Sequence, residues 1–161
     1  AKNLSGSFHS TILLLFIILT VGCNKYPPIS EEMVIEKVYD LFRAIESENE
    51  DRSKFYSVVT DDFLIYEIGQ EINKNDFLEF VESFNIIEDD WKLSDFKVSL
   101  DNNSAHVYFK NKGRFVVDTP EGKALLNYSW LESAYMVRDG DDLKIKFYFS
   151  DTVEQTSEPI E

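Results

Sequence analysis

The stretch "KALLNYSWLESAYMVRDGDDLKIKFYFSDTV", Lys123 to Val153, decides the fold. Aromatic and β-branched residues fill both halves, and the acidic, glycine-bearing "DGDD" (Asp139 to Asp142) separates them. That composition predicts two long antiparallel strands joined by a tight turn. Just upstream, "DTPEG" (Asp118 to Gly122) is a second turn, with the fixed φ of Pro120 entering it and Gly122 closing it. Before that, Ala105, Val107 and Phe109 alternate with His106, Tyr108 and Lys110, and the pattern runs on through Phe115 to Val117. "WKLSDFKVSL", Trp91 to Leu100, ends at the Asp101-Asn102-Asn103 turn. The C-terminal part of the chain therefore reads as four successive strands linked by short turns.

The preceding part reads as helices. Ser30 is an N-cap, Glu31 and Glu32 sit at the positive end of the helix dipole, and Ile29 and Val34 hold the positions of a hydrophobic staple. Val34, Val38, Leu41 and Ile45, with Ile35 and Phe42 beside them, recur at helical spacing, predicting a helix from about Glu31 to Ser47. The acidic "ESENED" closes it, and a shorter helix over Arg52 to Val59 carries Phe55, Val58 and Val59. "TDD", Thr60 to Asp62, is expected as a turn and "FLIYEI", Phe63 to Ile68, as a strand ending at Gly69. Asn73 or Asn75 caps a third helix with Phe77, Phe80, Val81 and Phe84 on one face.

Helices first and strands after them indicate an α+β domain. The expected fold is three N-terminal helices packed on a strongly bent antiparallel sheet that makes a cone with a pocket inside. Here the residues resemble a family. "LFRAIESENEDRSKFYSVVTDDFLIYEIG", Leu41 to Gly69, is similar to the opening of nuclear transport factor 2-like (SnoaL-like, cystatin-like cone) domains. "NYSWLESAYMVRDGDDLKIKFYFSD", Asn127 to Asp151, is similar to their final hairpin. The resemblance spans residues 31–153; the tail "EQTSEPIE", residues 154–161, is polar and expected to be disordered.

That family holds ketosteroid isomerases, polyketide cyclases and dehydratases beside many members without catalysis, so it carries fold further than function. By position, the resemblance puts Glu67 where the isomerases carry their carboxylate base. Their tyrosine donor falls at Leu41, with Tyr39 two residues earlier, and their second donor falls near Trp130-Leu131. The base position is thus filled and the donor positions are not. Tyr148-Phe149 stand where relatives often place a histidine before the Ser. The balance favours a small-molecule-binding or protein-interaction module, with an isomerase, dehydratase or cyclase using Glu67 as the alternative.

Composition narrows the partners. The 161 residues include 30 acidic and 16 basic ones, a net charge of −14, which disfavours nucleic acid because phosphate binding needs clustered Lys and Arg. His106 stands apart from the only other histidine, His9, and Cys23 is the only cysteine, so neither a metal site nor an intramolecular disulfide is implied. No glycine-rich phosphate cradle occurs, and no cofactor is expected. "DGDD" lacks the spacing of a calcium loop and is read as a solvated turn. Tyr66, Trp91, Tyr128, Trp130 and Arg114 are the candidate lining of a hydrophobic ligand pocket. A homodimer through the sheet face is a third expectation.

The N-terminus points to location. Lys2 precedes an uncharged stretch, then the apolar run Ile12 to Leu19, then "TVGC". This is the order of a secretory signal, and the run is too short for a spanning helix. "LTVGC" resembles a bacterial lipobox, although Leu19 sits one position earlier than the commonest pattern. The expectation is a signal peptide at 1–22 and a lipidated Cys23 beginning a tether through Ser30. Diacylation at that thiol anchors the domain to a membrane of the bacterial envelope. Asn24 in the next position points to the outer membrane, on its periplasmic or surface face.

Overall fold

Helix α1 (Glu31–Ile45) begins at the expected cap: the Ser30 hydroxyl accepts from the Met33 amide at 3.2 Å. The computed structural model describes residues 26–49 and 51–160. The signal-like run, the lipobox and Cys23 lie outside the described residues, as does Glu161 at the chain's end. α1 buries Val34, Val38, Leu41, Phe42 and Ile45, the stripe its spacing predicts. α2 (Ser53–Val58) buries Phe55 and Val58, and α3 (Lys74–Glu82) starts at Asn73, whose side chain accepts from the amides of Asn75 and Asp76. Phe55, Phe63 and Phe77 meet ring to ring, at 5.7–6.3 Å between centroids, and fasten α2 and α3 to the sheet.

Six strands form one sheet: β1 (Val59–Glu67), β2 (Gln70–Asn73), β3 (Ile86–Leu100), β4 (Ser104–Thr119), β5 (Gly122–Asp139) and β6 (Asp142–Ile160). Their spatial order is β2-β1-β6-β5-β4-β3. β3 to β6 are joined in sequence by tight turns, as their pattern predicts, and pair antiparallel. The sheet as a whole is mixed, not antiparallel, because β1 lies parallel to β6. That pairing joins segments distant in sequence, and no local signal announces it. β2 is also additional: the tight turn at Ile68 and Gly69, at φ 46° and 75°, folds a short strand back on β1. Thr60 to Asp62, expected as a turn, fall inside β1 where its register with β6 shifts. Their acidic side chains are held by cations, Asp61 by Lys74 and Asp62 by Lys146.

The polar tail is also different from expectation. Residues 154–160 continue β6 and pair with β5 from Ser129 back to Lys123. Polarity disfavours burial, but a strand edge asks only for backbone hydrogen bonds, and β5 supplies them. Residues 26–30, expected to belong to a tether, are fastened to the domain in part. Ile29 is buried, and the Arg138 guanidinium donates to the Pro27 carbonyl at 2.8 Å and lies over the Tyr26 ring.

The sheet bends around α1. Register shifts interrupt β3 against β4 at Ser94/Lys97, where Asp95 adopts φ 58°, and β5 against β6 at two places. Such bulges increase local twist and curl a sheet. The concave face carries Val107, Phe109, Ala134, Met136 and Ile145, which pack against the α1 stripe as the core. Among the described residues no helix is long and apolar enough to cross a membrane.

Candidate functional site

Beyond the packed core the cone stays open, leaving a cavity of about 360 Å³ between the helices and the concave face. α1 contributes Leu41, Phe42 and Ile45 to its wall, and α3 contributes Phe77, Phe80 and Val81. The opposite wall is aromatic. Tyr128 and Trp130, two apart on β5 and so on the same face, stack at 4.9 Å with their planes 2° apart. Trp91 from β3 meets Trp130 at 5.8 Å, Phe115 at 4.8 Å and Phe42 at 4.9 Å. Gly113 makes room for this wall: a Cβ there would stand 2.5 Å from the Phe115 ring and 2.8 Å from Trp130.

Polar groups gather on three neighbouring strands. On β5 the inward phase Trp130, Glu132, Ala134, Met136 puts a carboxyl among apolar residues. Glu132 pairs across the sheet with Ser150 of β6, whose hydroxyl donates to Glu132 Oε1 at 3.4 Å. Glu67 of β1 follows Ile65 on the same inward phase and also interacts with the Ser150 hydroxyl. A row Glu67, Ser150, Glu132 thus crosses β1, β6 and β5, with Tyr148 one step behind and Asn111 beside it on β4. Tyr148 faces inward because Lys146 has no partner on β5: Met136 pairs with Ile145 and Tyr135 with Phe147. The extra residue reverses the alternation of β6.

Burial dominates the electrostatics here. It pushes the Glu132 pKa up to about 8; the Tyr148 hydroxyl opposes this and the charge of Glu67 reinforces it. Glu67 is raised by burial, against the Ser150 hydroxyl. Burial and then the Glu132 charge push Tyr148 well above the ordinary tyrosine range. Glu132 Oε2, the Tyr148 hydroxyl, both polar atoms of the Asn111 amide and Trp91 Nε1 are buried with no partner at full hydrogen-bond distance, although Tyr148 and Asn111 stand near enough to Glu132 to lower its pKa. Such unsatisfied atoms, three of them on side chains that line the cavity, are expensive unless something else engages them. A protonated Glu132 offers an O–H, so the row can hold a carbonyl or hydroxyl oxygen, and Glu67 can move a proton beside it.

Of the residues singled out from sequence, Glu67, Trp91, Tyr128 and Trp130 come together on this cavity. Tyr66 does not: Phe63, Ile65 and Glu67 take the inward phase of β1, so Tyr66 faces out and donates to the Glu71 carboxylate at 3.0 Å. Arg114 does not either, because Gly113 and Phe115 face in and leave it exposed between them. Leu41 lines the cavity, while Tyr39 packs against Phe96 at 5.9 Å on the outside. His106 is exposed on the outer face of β4, as its alternation predicts. Leu41, Trp130 and Leu131 hold the positions where sequence register looked for donors, and two further polar residues lie at the cavity: Glu132, one residue past Leu131, and Tyr148 on β6. The inward phase of "WLESAYM" was the signal for Glu132; alternation alone pointed the wrong way for Tyr148. Among the described residues no group of three or more His, Cys, Asp or Glu side chains is placed to hold a metal ion.

No family model matches the chain, and no curated protein matches it in sequence. Solved structures do match in shape. A hexachlorocyclohexane dehydrochlorinase (LinA, type 2) superposes with a TM-score of 0.68 at 10% identity, over 80% of this chain and 88% of that one. A nuclear transport factor 2-like protein from Cytophaga hutchinsonii gives 0.64 at 13% identity, over 78% of this chain and 100% of that one. The CaMKII hub of S. rosetta gives 0.60 at 17% identity, over 79% and 100%. Identities this low carry the fold alone: the chain has the nuclear transport factor 2-like fold, the cone that its helix and hairpin stretches resemble.

Proposed function

We propose that the cavity binds a small, largely apolar molecule and orients it by one polar group set against Glu132. The observation that carries this reading is the join of an aromatic wall to a buried, unsatisfied polar row in one 360 Å³ space. Apolar contact with Trp91, Tyr128 and Trp130 supplies affinity, and the row supplies orientation. Native mass spectrometry of the protein purified from its own host tests it. A retained small-molecule mass that disappears in Trp130→Ala is expected; an empty protein that also binds no apolar dye would sink it.

A second reading is favoured by the Glu67–Ser150–Glu132 row itself. Glu67 takes a proton from a carbon beside a carbonyl, and the electron pair moves onto the carbonyl oxygen. The Glu132 O–H, with Tyr148, holds the resulting oxyanion, and Glu67 returns the proton at another carbon or a β-leaving group departs. In this reading Glu67→Gln abolishes turnover while leaving ligand affinity nearly intact; equal loss of both would refute it.

The location belongs to the same proposal. The apolar run before Cys23 supports export, lipidation at its thiol and attachment to the bacterial envelope. Cys23→Ala releases the protein from membranes; continued membrane association would exclude lipid as the sole anchor. The outer sheet face supports a homodimer, since Tyr66, Tyr108, Leu131, Tyr135 and Phe149 are all exposed there. Two of the similar structures are, by their names, a hub and an association domain. Tyr108→Glu should halve the mass measured by light scattering if the face pairs two copies.

A further inference from the structure

We infer that the occupant of the cavity is an organic cation: a protonated amine whose ammonium end sits against Glu132 and Glu67 and whose apolar body lies along Trp91, Tyr128 and Trp130. This deepens the binding reading and rests on it.

Charge is the first ground. The cavity wall holds two carboxyls, and among the described residues it holds no Lys, Arg or His. The rest of the molecule treats its acids differently. Asp61 meets Lys74 at 2.8 Å, Asp95 meets Lys110 at 2.8 Å, and Asp62 meets Lys146. Each of these exposed aspartates has its pKa lowered by that lysine. Among the described residues Glu132 is the carboxyl that lies buried, and neither it nor half-buried Glu67 has a positive partner, which is the arrangement burial makes most costly. An ammonium group brings the missing charge.

Acceptors and rings are the second ground. Glu132 Oε2 and Asn111 Oδ1 are buried acceptors with no donor at full hydrogen-bond distance, and an ammonium carries N–H donors and no acceptor. The ring faces of Trp91, Tyr128 and Trp130 present negative charge density, which attracts a desolvated cation more than a neutral group. The carboxyls repel a carboxylate or phosphate ligand. A neutral ligand packs on the rings without that attraction and leaves the acids as they are.

The two grounds imply a coupling to protons. The groups acting on Glu132 are Glu67, with Asp151 behind it, the hydroxyls of Tyr148 and Ser150 and the Asn111 amide; Tyr128 feels Glu67, and α1 and α3 present only apolar side chains to the cavity. Below about pH 8 no cation of the cavity wall draws the proton from Glu132. Binding of an amine releases it, and affinity rises with pH until the amine itself loses its charge.

The test uses three probes of one shape on the full chain: 2-naphthylmethylamine, 2-naphthylmethanol and 2-naphthoate, titrated by calorimetry at about pH 8. The amine is expected to bind about tenfold or more tighter than the alcohol, the naphthoate not at all. Repeating the amine titration in two buffers of different ionisation heat should reveal proton release. Glu67→Gln and Glu132→Gln should each bring amine and alcohol affinities together; if one variant does not fold, the other carries the comparison. An alcohol that binds as tightly as the amine overturns the inference and leaves the apolar pocket standing. Failure of all three probes removes the pocket reading and the inference with it.

Discussion

Replacing Glu132 by Gln should make the protein more stable, and increasingly so as pH rises. In the folded chain this carboxyl titrates at about 8, against an ordinary 4.5, because burial penalises its charged form. A raised acid contributes fully below its unfolded pKa, and that stability is lost as pH climbs through the folded value. Between the two values each pH unit costs the wild type about 1.4 kcal/mol relative to a residue that does not ionise, or on the order of 5 kcal/mol over the whole span. The glutamine keeps the shape and cannot ionise, so its own offset is independent of pH. Aspartates 51, 61, 62 and 95, whose pKa values are lowered, pull the absolute curves the other way, but they are common to both proteins and cancel in the difference. The charge of Glu67 is part of what raises Glu132, so its effect is already contained in that value. Urea unfolding followed by the fluorescence of Trp91 and Trp130, at steps from about pH 5 to 8, measures the difference directly. A difference that stays flat within about 1 kcal/mol over that range would refute the account of a buried, uncompensated acid.

Gly113→Ala drives a methyl group into the Phe115 and Trp130 rings, so it should cost about 1–3 kcal/mol and alter the near-ultraviolet dichroism of the aromatic wall. An unchanged spectrum would mean the wall is looser than it stands here. Ser30→Ala removes the α1 cap and should cost about 0.5–2 kcal/mol in the same unfolding assay. Deleting residues 154–161 strips β5 of its partner and removes the bond from Gln155 Nε2 to the Tyr128 hydroxyl, 2.7 Å long. Stability should fall by on the order of 1–3 kcal/mol; no change would show the arm to be energetically idle.

Much of the molecule is legible locally. Ser30, Asn73 and the Pro120 and Gly140 turns announce their elements because caps and turns are decided by a few neighbouring residues. The cavity wall follows from phase, as Trp130 and Tyr128 show. What is not legible depends on contacts made late and far away. The parallel pairing of β1 with β6 joins the beginning of the domain to its end, and the polar arm after Val153 is a strand only because β5 runs alongside it. Tyr66 and Arg114 look like pocket residues by type, and only the phase of their neighbours sends them outward. The polar row is hidden for a different reason: Glu132 is in phase, but Tyr148 reaches it through a bulge that no residue type marks.

That bulge has a consequence for how such a domain diversifies. If Lys146 paired with Tyr135 instead of bulging out, β6 would return to strict alternation, with Phe147 and Phe149 turned in and Tyr148 and Ser150 turned out. The cone would keep its helices, its sheet and its aromatic wall, but its floor would change from hydroxyls and acid to plain hydrocarbon. A one-place slip in pairing therefore separates a chamber that handles protons from one that stores grease, which gives evolution a far shorter route between the two trades than substitution at every lining position.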